Sequence, residues 1–308
     1  MKRAALLVFA SLAFAMPAFA HNGEHYELTA ANFWNGLTAI SLTIIALFYA
    51  VGLRRLWRTD AGKQTVRPWQ AIAFALGCAS AAIALLSVLD DWSDVLFSAH
   101  MAQHEILMLV SAPLMVLGRP FIVTLWSVSP AMRDRVAAAT RSEIVAKTWD
   151  LISGPLAVLL LHAIVLWSWH IPFLFEAALH NETIHVIQHL GFFLTAALFW
   201  WALIHGRYGR IGYGVAVLYV FATAMHAEVL GALLTFGSRP WYPTHAARTA
   251  ASGVSAVADQ QLAGIVMWIP FGVVFLLVAL GLFAAWLGEA ERRVAFTASE
   301  QIVREGRA

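Results

Sequence analysis

Charged residues are scarce in this sequence. Asp, Glu, Lys and Arg make up only 12% of its 308 residues, whereas hydrophobic residues make up 60%. Soluble domains carry about 25% charged residues, so this composition excludes an ordinary soluble protein and indicates an integral membrane protein. The net charge of +2 decides little, because in such a protein the position of each charge along the chain is what matters.

Cysteine is almost absent as well. The chain has one, Cys78, which excludes an intramolecular disulfide and any CxxC metal or redox motif. Cys78 lies in the middle of an apolar run, where we expect it to be a packing residue rather than a metal ligand. A metal site in this protein would therefore depend on other side chains.

The first twenty residues, MKRAALLVFASLAFAMPAFA, have the pattern of a secretory signal peptide. Lys2 and Arg3 precede an apolar stretch that is short for a membrane span, and the segment ends in the small-residue sequence AFA. We expect residues 1–20 to be removed by cleavage after Ala20. His21 would then be the mature N-terminus, and 21–32 would be a periplasmic segment.

Long apolar runs dominate the rest of the chain. Seven of them are long enough, at about twenty residues each, to cross the hydrocarbon core of a bilayer. The sequence therefore predicts an all-α fold, a polytopic transmembrane helix bundle at 33–287, with a cytoplasmic tail at 288–308. The predicted spans are about 33–53, 69–89, 95–118, 154–171, 184–204, 213–236 and 261–287.

The basic residues predict the orientation of these spans. Sixteen of the twenty Lys and Arg residues fall at 54–67, 119–147, 207–210 and 292–307, and all four segments lie on the same side of the membrane. Because basic loops stay in the cytoplasm, we expect the N-terminus outside and the C-terminus inside. The longest outer loop, 237–259, is rich in Gly, Ser and Ala, and we expect it to be irregular.

Histidine is concentrated on the predicted outer side. His100 and His104 lie in the third span and His185 and His189 in the fifth, each pair with i,i+4 spacing that places both imidazoles on one helix face. The first face continues to Met108. Ionisable residues inside membrane spans normally face the bundle interior and mark a site.

These residue types favour copper as the bound metal. Imidazole binds copper, zinc and iron, and a thioether adds a preference for copper(I). Interhelical hydrogen bonding remains an alternative for each pair alone. Haem b is a second alternative, with histidines of facing helices as axial ligands and Gly191 leaving space beside His189.

Other polar residues are candidates for supporting roles. Glu105 directly follows His104, and Glu228 lies two residues after His226. We expect Glu105, His226 and Glu228 to orient ligand histidines through hydrogen bonds. His21, His25 and His245 lie in outer segments and are candidates for metal capture. Asp259 would either accept a hydrogen bond near the site or cap the N-terminus of its own helix.

Three stretches carry a resemblance to a known family. HMAQHEILMLVSAPLMVLGRP, WHIPFLFEAALHNETIHVIQHLGFFLTAALFWW and DQQLAGIVMWIPFG resemble the CtaG-type cytochrome c oxidase assembly factors, polytopic proteins of bacterial membranes. The resemblance covers about 30–285. It points to the four paired histidines and, in addition, to His170 as a site residue and to Asp259, Gln260 and Trp268.

The resemblance implies a function in haem-copper oxidase maturation. Our hypothesis is an assembly factor, not an enzyme, that handles or delivers copper on the outer side of the bacterial inner membrane. We expect it to contact the lipid bilayer and an oxidase subunit, and no nucleic acid. A transmembrane haem b electron-transfer protein and a metal-free scaffold for an oxidase subunit remain the alternatives.

Overall fold

The computed structural model describes residues 30–205 and 212–305, and all regular structure in these two ranges is helical. The predicted signal peptide, His21 and His25 lie outside the described residues. The helices are α1 (Ala30–Leu56), α2 (Asp60–Thr65), α3 (Pro68–Leu86), α4 (Val88–Ser93), α5 (Phe97–Glu105), a π-helix (Ile106–Ser111), α6 (Ala112–Leu117), α7 (Pro120–Leu125), α8 (Pro130–Thr140), α9 (Glu143–Ile152), α10 (Pro155–Trp169), α11 (Pro172–His180), α12 (Glu182–His205), α13 (Tyr213–Thr235), α14 (Pro243–Ala251) and α15 (Ala256–Glu305).

Six membrane spans are present by length and composition, at Phe33–Leu56, Pro68–Leu86, Phe97–Leu117, Glu182–His205, Tyr213–Thr235 and Ala256–Arg292. These correspond to six of the seven predicted spans. The remaining one, 154–171, is represented by α10, which is only 15 residues long. It reaches the length of a span only together with α9, from which it is bent by 60°. The chain is thus a multi-pass membrane protein, and residues 30–205 and 212–305 contain six spans, or seven when the bent pair is counted.

Proline defines where many helices begin. The ring fixes φ near a helical value and removes a backbone N–H that would have no partner in the first turn. This explains the bend between α9 and α10, because Pro155 cannot continue a helix from α9. The helices that start at proline are α3, α7, α8, α10, α11 and α14.

The segment 237–259 corrects one sequence-based expectation. We expected an irregular loop, but it contains α14 and the beginning of α15. Pro243 provides the start of α14, and the following sequence THAARTAA is rich in alanine, the strongest helix former.

The third span is the centre of the bundle. Within its most apolar 18-residue window 67% of residues are buried, compared with 11% for α1. Along this span α5 packs mainly on α15, whereas α6 packs on α3 and α12. Between them the π-helix Ile106–Ser111 replaces α-helical geometry.

The bundle has two ends that differ in chemistry. The histidine end is where α5, α12 and α15 begin, with Phe97, His185 and Asp259 close to it and α14 lying across them. The Arg119 end is the opposite one, where the chain turns after α6 and Arg119 adopts a left-handed conformation with φ 53°. Arg55 and Arg67, near the end of α1 and the beginning of α3, lie toward the Arg119 end.

Candidate functional site

Five histidine rings converge at the histidine end. They are the two predicted pairs and His245, and we call them the histidine cluster. The ring centroids are 4.4 Å apart for His100 and His104, 4.3 Å for His185 and His189, 5.4 Å for His100 and His185, 5.1 Å for His104 and His189, and 5.7 Å for His100 and His245.

Helical spacing explains why the two pairs meet. Residues four apart lie on one helix face, and α5 and α12 both begin at the histidine end, so their paired rings lie at the same depth in the bundle. The fifth ring comes from α14, whose His245 contacts Phe97 and Phe175 as well as His100. We predicted His245 as a separate capture residue, and the structure places it in the same cluster as the two pairs.

Three of the five rings are buried and those of His185 and His189 are half-buried, yet many of their nitrogens have no partner. His100 and His104 are each 1% exposed and His245 is 2% exposed. No hydrogen bond reaches Nε2 of His100, His185 or His189, or either ring nitrogen of His104. Buried polar atoms are nearly always bonded, so each exception needs an explanation. For imidazole nitrogens, the explanation that their chemistry suggests is a bound ligand.

Asp259 joins the elements that carry the cluster. Its carboxylate accepts hydrogen bonds from the backbone N–H of Phe97 at 2.6 Å, from that of Ser98 at 3.2 Å, and from the Ser98 hydroxyl at 2.5 Å. The Thr249 hydroxyl of α14 is 3.3 Å from the same carboxylate. A carboxylate at a helix N-terminus satisfies free N–H groups and interacts favourably with the helix dipole.

This bonding corrects the alternative in which Asp259 caps its own helix. The helix α15 begins at Ala256, and the hydroxyl of Ser255 accepts from the N–H of Ala258. Asp259 is therefore already in the first turn and is free to cap α5 instead. Through α5 it fixes the position of His100 and His104.

Further hydrogen bonds hold α14 over the cluster. The Tyr242 hydroxyl donates to the His170 carbonyl at 2.9 Å, and the Thr244 N–H donates to the Glu176 carboxylate at 3.1 Å. Gln260, which the resemblance singled out, accepts from the Trp241 N–H at 2.7 Å and donates to the Arg239 carbonyl at 3.1 Å. Gln260 thus positions the segment that leads into α14.

The environment of His245 favours the neutral imidazole. Burial is the main cause, with Arg248 as a second, and together they lower its pKa from 6.5 to about 4. A neutral imidazole has a free lone pair on one ring nitrogen, which is the form that binds a metal.

Other predicted residues lie beside or away from the cluster. The His170 ring bonds to the Leu166 carbonyl at 2.7 Å and is 6.0 Å from Phe192, which is itself 4.6 Å from His104. Glu105 is buried with one carboxylate oxygen unpartnered, and no contact with a histidine ring is observed. Met108 packs in the apolar core, because the π-helix interrupts the α-helical face that was expected to include it.

His226 and Glu228 are distant from the cluster. The His226 ring lies against His162 of α10, with centroids 5.5 Å apart. The Glu228 carboxylate lies beside Gly272 of α15. These two residues therefore do not lie near the histidine cluster, although their positions in the sequence suggested a supporting role there.

Two buried glutamines were missed by the sequence analysis. Gln103 donates to the Ala84 carbonyl at 2.8 Å and to the Asp90 carboxylate at 2.7 Å. Gln188 is fully buried, and both of its amide atoms lack a partner. Their positions within the two histidine pairs, QH at 103–104 and QH at 188–189, were the signal that could have identified them.

The cluster is not arranged as a formed metal site. Among residues 30–205 and 212–305, no group of three or more His, Cys, Asp or Glu side chains has the arrangement that holds a metal ion. The rings nevertheless suit one, because two nitrogens that share an ion at about 2.0 Å lie at most about 4 Å apart. Rings with centroids 4.3 to 5.7 Å apart reach this separation by side-chain rotation.

A buried histidine cluster at one end of an all-helical membrane bundle defines the class of protein: a polytopic membrane protein with an intramembrane polar site. The family model of the cytochrome c oxidase caa3 assembly factor matches residues 47–289. This match covers most of the chain, and the protein belongs to that family.

The curated relatives come from mycobacteria. An uncharacterized protein of Mycobacterium bovis is 25% identical over 269 residues, which cover 85% of this chain and 40% of the relative. An uncharacterized protein of Mycobacterium leprae is 25% identical over 267 residues, covering 83% of this chain and 39% of the relative. The chain thus spans about 40% of the length of these relatives. No solved structure matches the chain.

Proposed function

We propose that this protein is a cytochrome c oxidase assembly factor that binds copper in the histidine cluster and passes it to an oxidase subunit. The observation that carries the proposal is the convergence of five imidazoles, in which Nε2 of His100, His185 and His189 and both ring nitrogens of His104 are buried without hydrogen-bond partners. Copper is the cargo of this protein and is not consumed in a reaction, so the proposed function is not enzymatic.

The chemistry of the cluster suits transfer of copper(I). Neutral imidazole is a good ligand for copper, and copper(I) accepts few ligands in a flexible arrangement. Five rings around one point offer more donors than such an ion needs. Because a replacement ligand is always adjacent, the ion can change partners one bond at a time until a ligand of the oxidase subunit takes it.

The charge distribution favours an outward-facing histidine end. The segment near the opposite end is basic and contains Arg54, Arg55, Arg58, Lys63 and Arg67. Basic segments of this kind stay in the cytoplasm. In the bacterial inner membrane the cluster would then open to the periplasm. His21 and His25, outside the described residues, would be on that same side and remain candidates for copper capture.

Haem b is the competing ligand, and the space near the cluster argues against it. A macrocycle beside His189 would need the gap that we expected at Gly191. A methyl group at Gly191 would lie 3.2 Å from the Trp169 indole nitrogen and 3.3 Å from Val165. This gap is therefore already filled by α10.

The test is the metal content of the full chain purified in detergent. Copper, iron and zinc are measured together in the wild-type protein and in a His104→Ala/His189→Ala variant. We expect the variant to contain at least one copper ion per chain fewer than the wild-type protein. His205→Ala is the matched control, because the His205 ring bonds to the Val116 carbonyl at the Arg119 end.

Each other result decides against copper handling. Iron with a haem spectrum that is lost in the double variant would establish the haem protein. If neither protein contains metal after exposure to copper(I), the remaining alternative is a metal-free scaffold for an oxidase subunit. Equal copper in the wild-type protein and the double variant would place the metal elsewhere.

A further inference from the structure

A second pair of histidines lies deeper in the bundle. His162 of α10 and His226 of α13 have ring centroids 5.5 Å apart, with an angle of 64° between the rings. His162 is 3% exposed. It is eight residues before His170, which follows the end of α10, and eight residues of α-helix span about 12 Å. The pair is thus about two turns of helix deeper in the bundle than His170.

The two rings differ in how they are bonded. One nitrogen of His162 lies 3.3 Å from the Thr195 hydroxyl of α12, which fixes the orientation of that ring. His226 has no hydrogen bond on either ring nitrogen, and both nitrogens are buried. The pair therefore does not have the bonding expected of histidines that only hold helices together.

A soft third donor lies close to His162. Met108 and His162 line the same small apolar cavity, with Phe199, Trp200 and Phe271 among its other walls. Met108 is 2% exposed, and the Trp200 indole donates to its backbone carbonyl at 2.9 Å, which fixes this part of the π-helix. Met108 and His162 thus line one cavity, and the backbone of Met108 is fixed there by the Trp200 indole.

Glu228 is not part of this group. Residues two apart on a helix point about 200° apart, and the Glu228 carboxylate lies against Gly272 rather than toward His162. The residues that line the cavity include no carboxylate, so a hard cation that prefers carboxylates would find no charged oxygen there. Two imidazoles and a thioether in an apolar surrounding match copper(I).

We propose that His162, His226 and Met108 form a second copper(I) site within the membrane bundle. It rests on the proposed function, because it assumes that the protein takes up copper(I). The protein would then hold two ions at different depths.

Copper(I) titration of the full chain in detergent tests this second site. The protein is titrated anaerobically against a coloured copper(I) chelator, and the stoichiometry is read from the competition. We expect two ions in the wild-type protein, one in a His162→Ala/His226→Ala variant and one in His104→Ala/His189→Ala. His205→Ala should keep both. A single His226→Gln variant, which preserves size and polarity, should lose one ion as well, and it replaces the double variant if that variant does not fold.

X-ray absorption supplies the second readout. Copper-loaded His104→Ala/His189→Ala should show a sulfur ligand that disappears when Met108→Leu is added. Met115→Leu is the matched control, because Met115 packs against Gly77 of α3 and lines neither site.

The outcomes separate this inference from the proposed function. One copper ion in the wild-type protein, unaffected by the changes at 162 and 226, would overturn the second site and leave the histidine cluster in place. Absence of copper from the wild-type protein would overturn both. A second ion without a sulfur ligand would remove Met108 from the site.

Discussion

The two ends of the bundle differ in how completely their buried polar groups are bonded. At the Arg119 end Tyr49 bonds to the Gly118 carbonyl at 2.8 Å, Gln70 to Leu117 at 3.2 Å and His205 to Val116 at 3.0 Å, and Nε of Arg119 is the unpartnered atom there among the described residues. At the histidine end, the carboxylate, amide and hydroxyl groups of Asp259, Gln260 and Tyr242 are also bonded. The groups with unpartnered atoms at this end include the imidazoles of the histidine cluster, the Glu105 carboxylate and the amides of Gln103 and Gln188.

This difference separates residues that hold the fold from residues that are available to a ligand. His205 lies in the same helix as His185 and His189, and its ring is bonded, so this helix does not leave every histidine without a partner. Leaving a buried polar atom unpaired costs about 1–3 kcal/mol. Several such atoms in one cluster are best explained by a ligand that pairs with them. The comparison can be tested with three substitutions.

The largest effect is expected for Asp259→Ala. It removes the acceptor of two backbone N–H groups and two hydroxyls, and we expect it to lower the free energy of unfolding by at least about 3 kcal/mol. Copper binding should fall as well, because α5 loses its cap. Denaturant unfolding in detergent measures the first effect. Asp91→Ala, at an exposed position, serves as control, and an equal loss in both variants would contradict the capping role.

An effect of opposite sign is expected for His104→Leu. Leucine has a similar size and leaves no polar atom unpaired, so the metal-free protein should become more stable by about 1 kcal/mol while its copper binding decreases. Unfolding of the metal-free protein and copper titration of the same sample measure the two quantities. Destabilisation by several kcal/mol would show that His104 holds the fold.

The smallest effect is expected for Tyr49→Phe. Removing the hydroxyl leaves the Gly118 carbonyl without this donor but keeps the stacking on Phe74, whose ring centroid is 3.7 Å away. We expect a loss of about 0.5–1.5 kcal/mol in the free energy of unfolding and no change in copper stoichiometry. A changed stoichiometry would mean that the two ends of the bundle are not independent.

The sequence predicted most of the fold and half of the site. Apolar run length is a local property, so the spans were predictable except where Pro155 divides one of them. The i,i+4 spacing placed His100 with His104 and His185 with His189, because helix geometry fixes such pairs. That the two pairs meet depends on how α5 packs beside α12, which no local pattern encodes.

The remaining features of the site arise from contacts between distant segments. Asp259 caps a helix that begins 162 residues earlier in the chain, and His245 reaches the cluster only because α14 lies across the bundle. The pairing of His226 with His162 likewise depends on the packing of α13 against α10. The π-helix was not predictable from periodicity, because its six residues ILMLVS are apolar in either geometry.

The π-helix also has a consequence for the phase of the third span. Consecutive residues of an α-helix are rotated by about 100°, and a π-helical segment usually holds one residue more than the α-helical turn that it replaces. Everything after Ser111 is therefore rotated by about one residue relative to an uninterrupted helix. Before it the span presents His100 and His104 to α12, and after it Met115 meets α3. A single span thus packs against two neighbours, α12 and α3, on different sides. Deleting one residue at 106–111 would move one of these two sets of contacts out of place and leave the other intact.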